Sequence, residues 1–142
     1  MLTLPTGRQR ESECMSEIDW ETLAKAAWHV RDSAHVLGTT KVGAAVLCAD
    51  HGIFVGCNVE HRFRSHDVHA EVNAITNMVS SGCEELRAIL IAAERDRFTP
   101  CGACLDWIFE FGGEGCLVAY QARPEGKVVM LSADQLMPYY PK

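Results

Sequence analysis

The sequence predicts an α/β/α sandwich, a five-stranded mixed sheet covered by helices. Three observations carry that prediction. Hydrophobic periodicity switches between 3.6 and 2 along the chain in the order αββαβαββα. The two central helices each begin on a short motif rich in metal-ligating side chains, His69-Ala70-Glu71 and Pro100-Cys101-Gly102-Ala103-Cys104. At 142 residues the chain has room for one domain of this size.

The elements follow in order. Over 18–37, Leu23, Ala26, Ala27, Val30, Ala34 and Leu37 recur at spacings of three or four, an amphipathic helix that Gly38 is expected to close. Strands over 42–48 and 53–59 flank Ala49-Asp50-His51-Gly52, whose composition suits a hairpin turn. The polar stretch 61–67 leads into a helix over 69–79, stopped near Gly82. The run 86–93 reads as a buried strand. Thr99 is expected to cap the next helix, with Pro100 at its first position and Gly112-Gly113 at its end. Strands over 116–121 and 128–131 surround a turn at 123–127, and Ser132 is placed to cap a short last helix. Residues 1–14 carry no periodic pattern and read as a flexible N-terminal extension. The single domain is then 15–142.

Composition excludes several classes. Nineteen acidic against thirteen basic side chains give a net charge of −6, without the cationic footprint that a nucleic-acid polymer requires. No apolar run approaches the ~20 residues of a membrane span, and the N-terminus has no apolar signal core. Seven cysteines is an odd number, which argues against a disulfide framework and for a reducing, cytoplasmic setting with buried or metal-binding thiols. Cys14, Cys48, Cys57, Cys83 and Cys116 are expected to be small buried residues.

Chemistry concentrates in the two helix-start motifs. Cysteines at i and i+3 lie on one helix face, so Cys101 and Cys104 can meet one ion, and the positive helix end favours both thiolates. His69 supplies a third ligand suited to Zn²⁺. Three protein ligands leave a fourth position for water, the pattern of a catalytic zinc. Glu71, two residues from His69, is placed for general acid–base work on that water. Other readings of the thiols are a redox pair, or a closed structural site completed by His61, His66, Cys83 or Cys116. The joint pattern H-x-E with P-C-x-x-C is that of zinc-dependent nucleobase deaminases.

From about Met15 onward the chain resembles the cytidine deaminase family. The resemblance includes Lys41-Val-Gly-Ala-Ala45, Phe54-Val-Gly-Cys-Asn-Val-Glu60, Thr99-Pro-Cys-Gly-Ala-Cys104, Glu110-Phe111 and Leu136-Met-Pro138. It implies hydrolytic deamination of cytidine, deoxycytidine or a close pyrimidine nucleoside analogue, with release of ammonia. Asn58 and Glu60 would hold the sugar hydroxyls, the Ala70 N–H the pyrimidine carbonyl, and the Thr99 carbonyl the exocyclic amine. A homotetramer is implied as well.

The departures are specific. His69-Ala70-Glu71-Val72 stands where small cytidine deaminases carry Cys-Ala-Glu-Arg, and is closer to deoxycytidylate, cytosine and tRNA-adenosine deaminases. Thr40 replaces a base-stacking phenylalanine, and His61-Arg62-Phe63-Arg64 replaces Asn-Ala-Ser-Tyr. These differences and the tyrosine-bearing tail also give a weaker resemblance to blasticidin S deaminase. Phe63, Trp107, Tyr139 and Tyr140 are candidates for the lost ring. Arg62 and Arg64 either belong to a solvated loop or meet a 5′-phosphate or sugar substituent. A nucleotide, a free base, a nucleoside antibiotic and a non-catalytic zinc module remain as alternatives.

Overall fold

Alternation along the strands sorts the core into two layers. Ala44, Val46, Cys48, Ile89, Ile91 and Val118 face one side of the sheet, and Ala45, Leu47, Ala88, Leu90, Ala92 and Ala119 face the other. The computed structural model describes residues 18–141. The expected extension 1–14 lies outside the described residues. Helix α1 (Trp20–Arg31) covers the second face through Leu23, Ala24 and Ala27. Helices α2 (Ala70–Ser80) and α3 (Gly102–Gly112) cover the first through Ala74, Ile75, Met78, Leu105, Ile108 and Phe109.

The sheet has the order β2-β1-β3-β4-β5, formed by β1 (Gly43–Cys48), β2 (Ile53–Cys57), β3 (Leu86–Ala92), β4 (Leu117–Gln121) and β5 (Val128–Ser132). Only β3 and β4 run parallel, joined by α3; the other pairs are antiparallel. Strands β2 and β3 therefore point the same way on either side of β1. The helices that follow them, α2 and α3, begin at the same edge of the sheet. In open α/β sheets this carboxyl edge is where ligands bind. The last helix, α4 (Ala133–Leu136), begins on the expected Ser132 cap, completed to a capping box by Gln135.

Two helix boundaries and one expectation about the cysteines differ from the sequence reading. Helix α1 stops at Arg31, not Leu37. Beyond it the backbone is recruited by another strand end: His35 N–H donates to Asn58 O, and Glu60 N–H to His35 O. Gly38 is therefore no C-cap; its N–H, like that of Leu37, donates to the Glu60 carboxylate. Helix α3 starts at Gly102, with Cys101 rather than Thr99 as its N-cap. Against the expected absence of disulfides, Cys48 and Cys83 are joined as a cystine. It closes a 35-residue segment containing β2 and α2, a pairing across the fold that cysteine parity cannot reveal.

Close helix–sheet approach rests on two strand glycines. A Cβ on Gly43 would run into Ala27 O of α1, and one on Gly56 into Ala74 N and Asn73 of α2. Backbone cannot yield as a flexible side-chain tip can. Gly56→Ala is expected to cost about 1–3 kcal/mol in urea unfolding, the range for overpacking. A change below ~0.5 kcal/mol would show that α2 can ride outward freely.

Candidate active site

The two co-directional helices bring their first turns together. His69 is the N-cap of α2 and Cys101 the N-cap of α3, both extended, and neither side chain caps its own helix. Both side chains turn to each other instead. His69 Nδ1 lies 3.3 Å from Cys104 Sγ and 3.4 Å from Cys101 Sγ. The three donor atoms lie within 4.8 Å of one another, and no fourth histidine, cysteine or carboxylate joins them among the described residues. Of the other ligands the sequence offered, Cys83 is tied to Cys48, and His61 and His66 stack on each other.

Two sulfurs and one imidazole nitrogen in this spacing are a donor set suited to zinc. Burial pushes the Cys104 thiol well above its ordinary value, and the Glu71 carboxylate and Cys101 push it further. The fit to a divalent metal rests on the chemistry of this donor set and its spacing.

Glu71 lies in the first turn of α2, 4 % exposed, with the Cys104 thiol donating to its Oε2 at 3.5 Å. Desolvation raises its carboxyl above the usual range, opposed by its backbone N–H, Cys104 and His69. A buried carboxyl of this kind is suited to holding and releasing a proton.

Over this cluster opens a pocket of about 380 Å³, a size that accommodates a small ligand. Asn58, Glu60, Arg64, His69, Ala70, Glu71, Thr99 and Cys101 line it, so most of the side chains singled out from sequence share one cavity. Phe63 does not join them. It is 62 % exposed and packs against His61 and His66. The sequence reading passed over Thr40 as a lining residue, and over Val42, Asp67, Val68 and Phe98 altogether. Their only signal was adjacency to the motifs.

One wall is a closed hydrogen-bond network. The Glu60 Oε1 atom accepts the Leu37 and Gly38 N–H groups at 2.6 and 3.0 Å, while Oε2 accepts from Arg64 at 2.8 Å. Arg64 Nε also donates to Asp67, whose other oxygen accepts the His61 N–H. Asn58 accepts the Val42 N–H and donates to Thr40 O, fixing 40–42 against β2.

Residues 17–120 match the family model described as the cytidine and deoxycytidylate deaminase zinc-binding region. The chain belongs to this deaminase family. A "Probable cytidine deaminase" of Dictyostelium discoideum is 32% identical over 87% of this chain and 84% of its own length. The cytidine deaminase of Sporosarcina psychrophila is also 32% identical, over 85% of this chain and 90% of its own. Among solved structures, the cytidine deaminase of Burkholderia pseudomallei superposes with a TM-score of 0.78 at 30% identity, covering 86% of this chain and 98% of that one. The chain is accordingly a hydrolase of the zinc-dependent deaminase class, in the fold expected of it. Among the described residues, no helix is long and apolar enough to cross a membrane.

The carboxylate wall has a pH signature. The Gly38 and Leu37 N–H groups, then Arg64, hold Glu60 below the ordinary carboxylate range; the His61 N–H and Arg64 do the same for Asp67. Because the folded values are depressed, the contribution is complete above the ordinary range, about pH 4, and is lost as pH falls through the depressed values. Amide protection factors of Leu37, Gly38 and His61 should drop on acidification below about pH 4, ahead of the β3 amides. Simultaneous loss would place these bonds outside the wall's stability.

Proposed function

We propose that this deaminase converts a free cytidine-type nucleoside to its uridine form, with Zn²⁺ held by His69, Cys101 and Cys104. The observation that carries the reading is that the buried Glu71 lines the same pocket as Asn58 and Glu60. Reaction centre and sugar wall thus share one cavity. Bound zinc would supply Lewis acidity that lets water ionise near neutral pH. Glu71 accepts one proton from the attacking water and delivers it to N3 of the pyrimidine, then takes the remaining proton of the new C4 hydroxyl and passes it to the leaving amine. Water enters, ammonia leaves, and a carbonyl replaces the amine at C4. The first N–H of α2, at Ala70, and the Thr99 carbonyl are assigned to the pyrimidine carbonyl and the amine.

A nucleoside is favoured over a nucleotide by the charge of the sugar wall. Glu60 and Asp67 carry two negative charges against the single guanidinium of Arg64, which both already engage. That wall is a poor seat for a phosphate dianion. Asn58 keeps capacity for a sugar hydroxyl, because its two protein bonds leave one N–H and one lone pair. The non-catalytic module is disfavoured because, among the described residues, no fourth side-chain ligand joins His69, Cys101 and Cys104. A homotetramer and a cytoplasmic setting complete the reading by family resemblance.

Two variants separate metal binding from proton transfer. Glu71→Gln should keep about one zinc per chain and lose 10²–10⁴-fold in kcat, whereas Cys104→Ser should lose most of its zinc by elemental analysis. Near-normal turnover of zinc-loaded Glu71→Gln would remove Glu71 from the mechanism.

A third measurement tests the sugar wall. Glu60→Gln should lower kcat/KM for cytidine by about tenfold or more while leaving free cytosine little changed. If cytosine is as good a substrate as cytidine for the unmodified enzyme, the pocket reads bases and not nucleosides.

A further inference from the structure

We propose that Phe98 is the specificity residue of this site, the ring on which the substrate's base stacks; the inference rests on the nucleoside reading above. A pyrimidine base offers hydrogen bonds only around its edge, so its two faces need flat, apolar cover. Apart from the His69 imidazole, whose Nδ1 faces the thiols, Phe98 is the one aromatic side chain among the described residues lining the pocket. The other apolar lining residues, Val42, Val68 and Ala70, have no π face.

The rings that the sequence suggested for this task are committed elsewhere. Trp107 stacks on Phe111, Tyr140 stacks on Phe109 and donates to Asp106, and Tyr139 is 95 % exposed. Phe63 belongs to the outer histidine cluster. Phe98, by contrast, is half-buried against the core that α2 and α3 share, which holds its ring in place. It immediately precedes Thr99, the residue assigned to the exocyclic amine, so one short segment would present both a face and an edge to the base. Thr40, in the same pocket, is small and is held by Arg95, whose Nη2 donates to its hydroxyl at 2.6 Å. A ring from the Phe98 side therefore meets no competing side chain of its own size there.

The test compares two competitive inhibitors, uridine and 5,6-dihydrouridine, whose bases share the same hydrogen-bonding edge but differ in aromaticity and planarity. The unmodified zinc enzyme should bind uridine more tightly. Phe98→Leu keeps an apolar side chain and removes the π face. It should raise the inhibition constant for uridine about tenfold or more, leave that for dihydrouridine within about twofold, and so bring their ratio toward one. Zinc content should not change. Phe98→Tyr should restore the ratio, and Phe98→Met serves as the ringless variant if Phe98→Leu does not fold. Equal loss of both inhibitors in the ringless variant, or an unchanged ratio, overturns the stacking role and leaves Phe98 as packing. If the unmodified enzyme releases no ammonia from cytidine and binds neither inhibitor, it is the nucleoside reading that fails.

Discussion

The site depends on one topological constraint, that β2 and β3 run in the same direction on either side of an antiparallel β1. Each is followed by a helix on the same sheet face, so α2 and α3 must start side by side. Everything else at the reaction centre uses that coincidence. Two N-cap positions sit at adjacent helix starts, where extended backbone can turn a side chain outward, and they are filled by His69 and Cys101. Cys104 and Glu71 lie within the first turns, where the helix ends favour negative charge. Gly56 in β2 allows α2 to seat closely enough for its first turn to reach that of α3.

The pocket's rim is organised by Glu60. Its carboxylate replaces helical partners for the Leu37 and Gly38 N–H groups, and it orients Arg64, which in turn holds Asp67. Asp67 then ties back to the His61 N–H. The same residue assigned to a sugar hydroxyl thus also explains why α1 ends early. Exposed ion pairs contribute little by themselves. Here their value lies in geometry, since three backbone donors and one guanidinium fix both edges of the wall.

What the sequence made legible was local. Period-2 and period-3.6 patterning identified the order of elements, because each strand and helix has one buried face that writes itself into consecutive residues. The motifs that hold His69, Glu71, Cys101 and Cys104 were legible because short spacing at a helix start is a sequence property, and the fold brings His69, Cys101 and Cys104 together. Long-range competition was not. Helix propensity carries α1 through Ala34 and Leu37, but the strand end at Asn58 and Glu60 claims that backbone. Thr99-Pro100 has the chemistry of a helix start, yet Cys101 takes the cap so that its sulfur can face His69. The Cys48–Cys83 pairing and the place of Phe98 in the pocket depend on how α2 and α3 pack, which no spacing encodes.

Charge balance ties the ligand choice to its neighbour. Two thiolates and a neutral imidazole match a dication, so the donor set of this site would carry no net charge when filled. A third thiolate at position 69 would leave it at −1, and a following arginine could then offset the excess. Here His69 removes the need, and half-buried Val72 follows Glu71 in place of a cation. Glu71 is then the group whose charge remains unmatched on the pocket floor, partly balanced by the positive end of α2. Desolvation works against that charge, and so favours the protonated carboxyl whenever no polar partner faces it. A buried carboxyl held between desolvation and these polar partners suits the relay assigned to it, one proton from water to the ring nitrogen and a second from the new C4 hydroxyl to the amine.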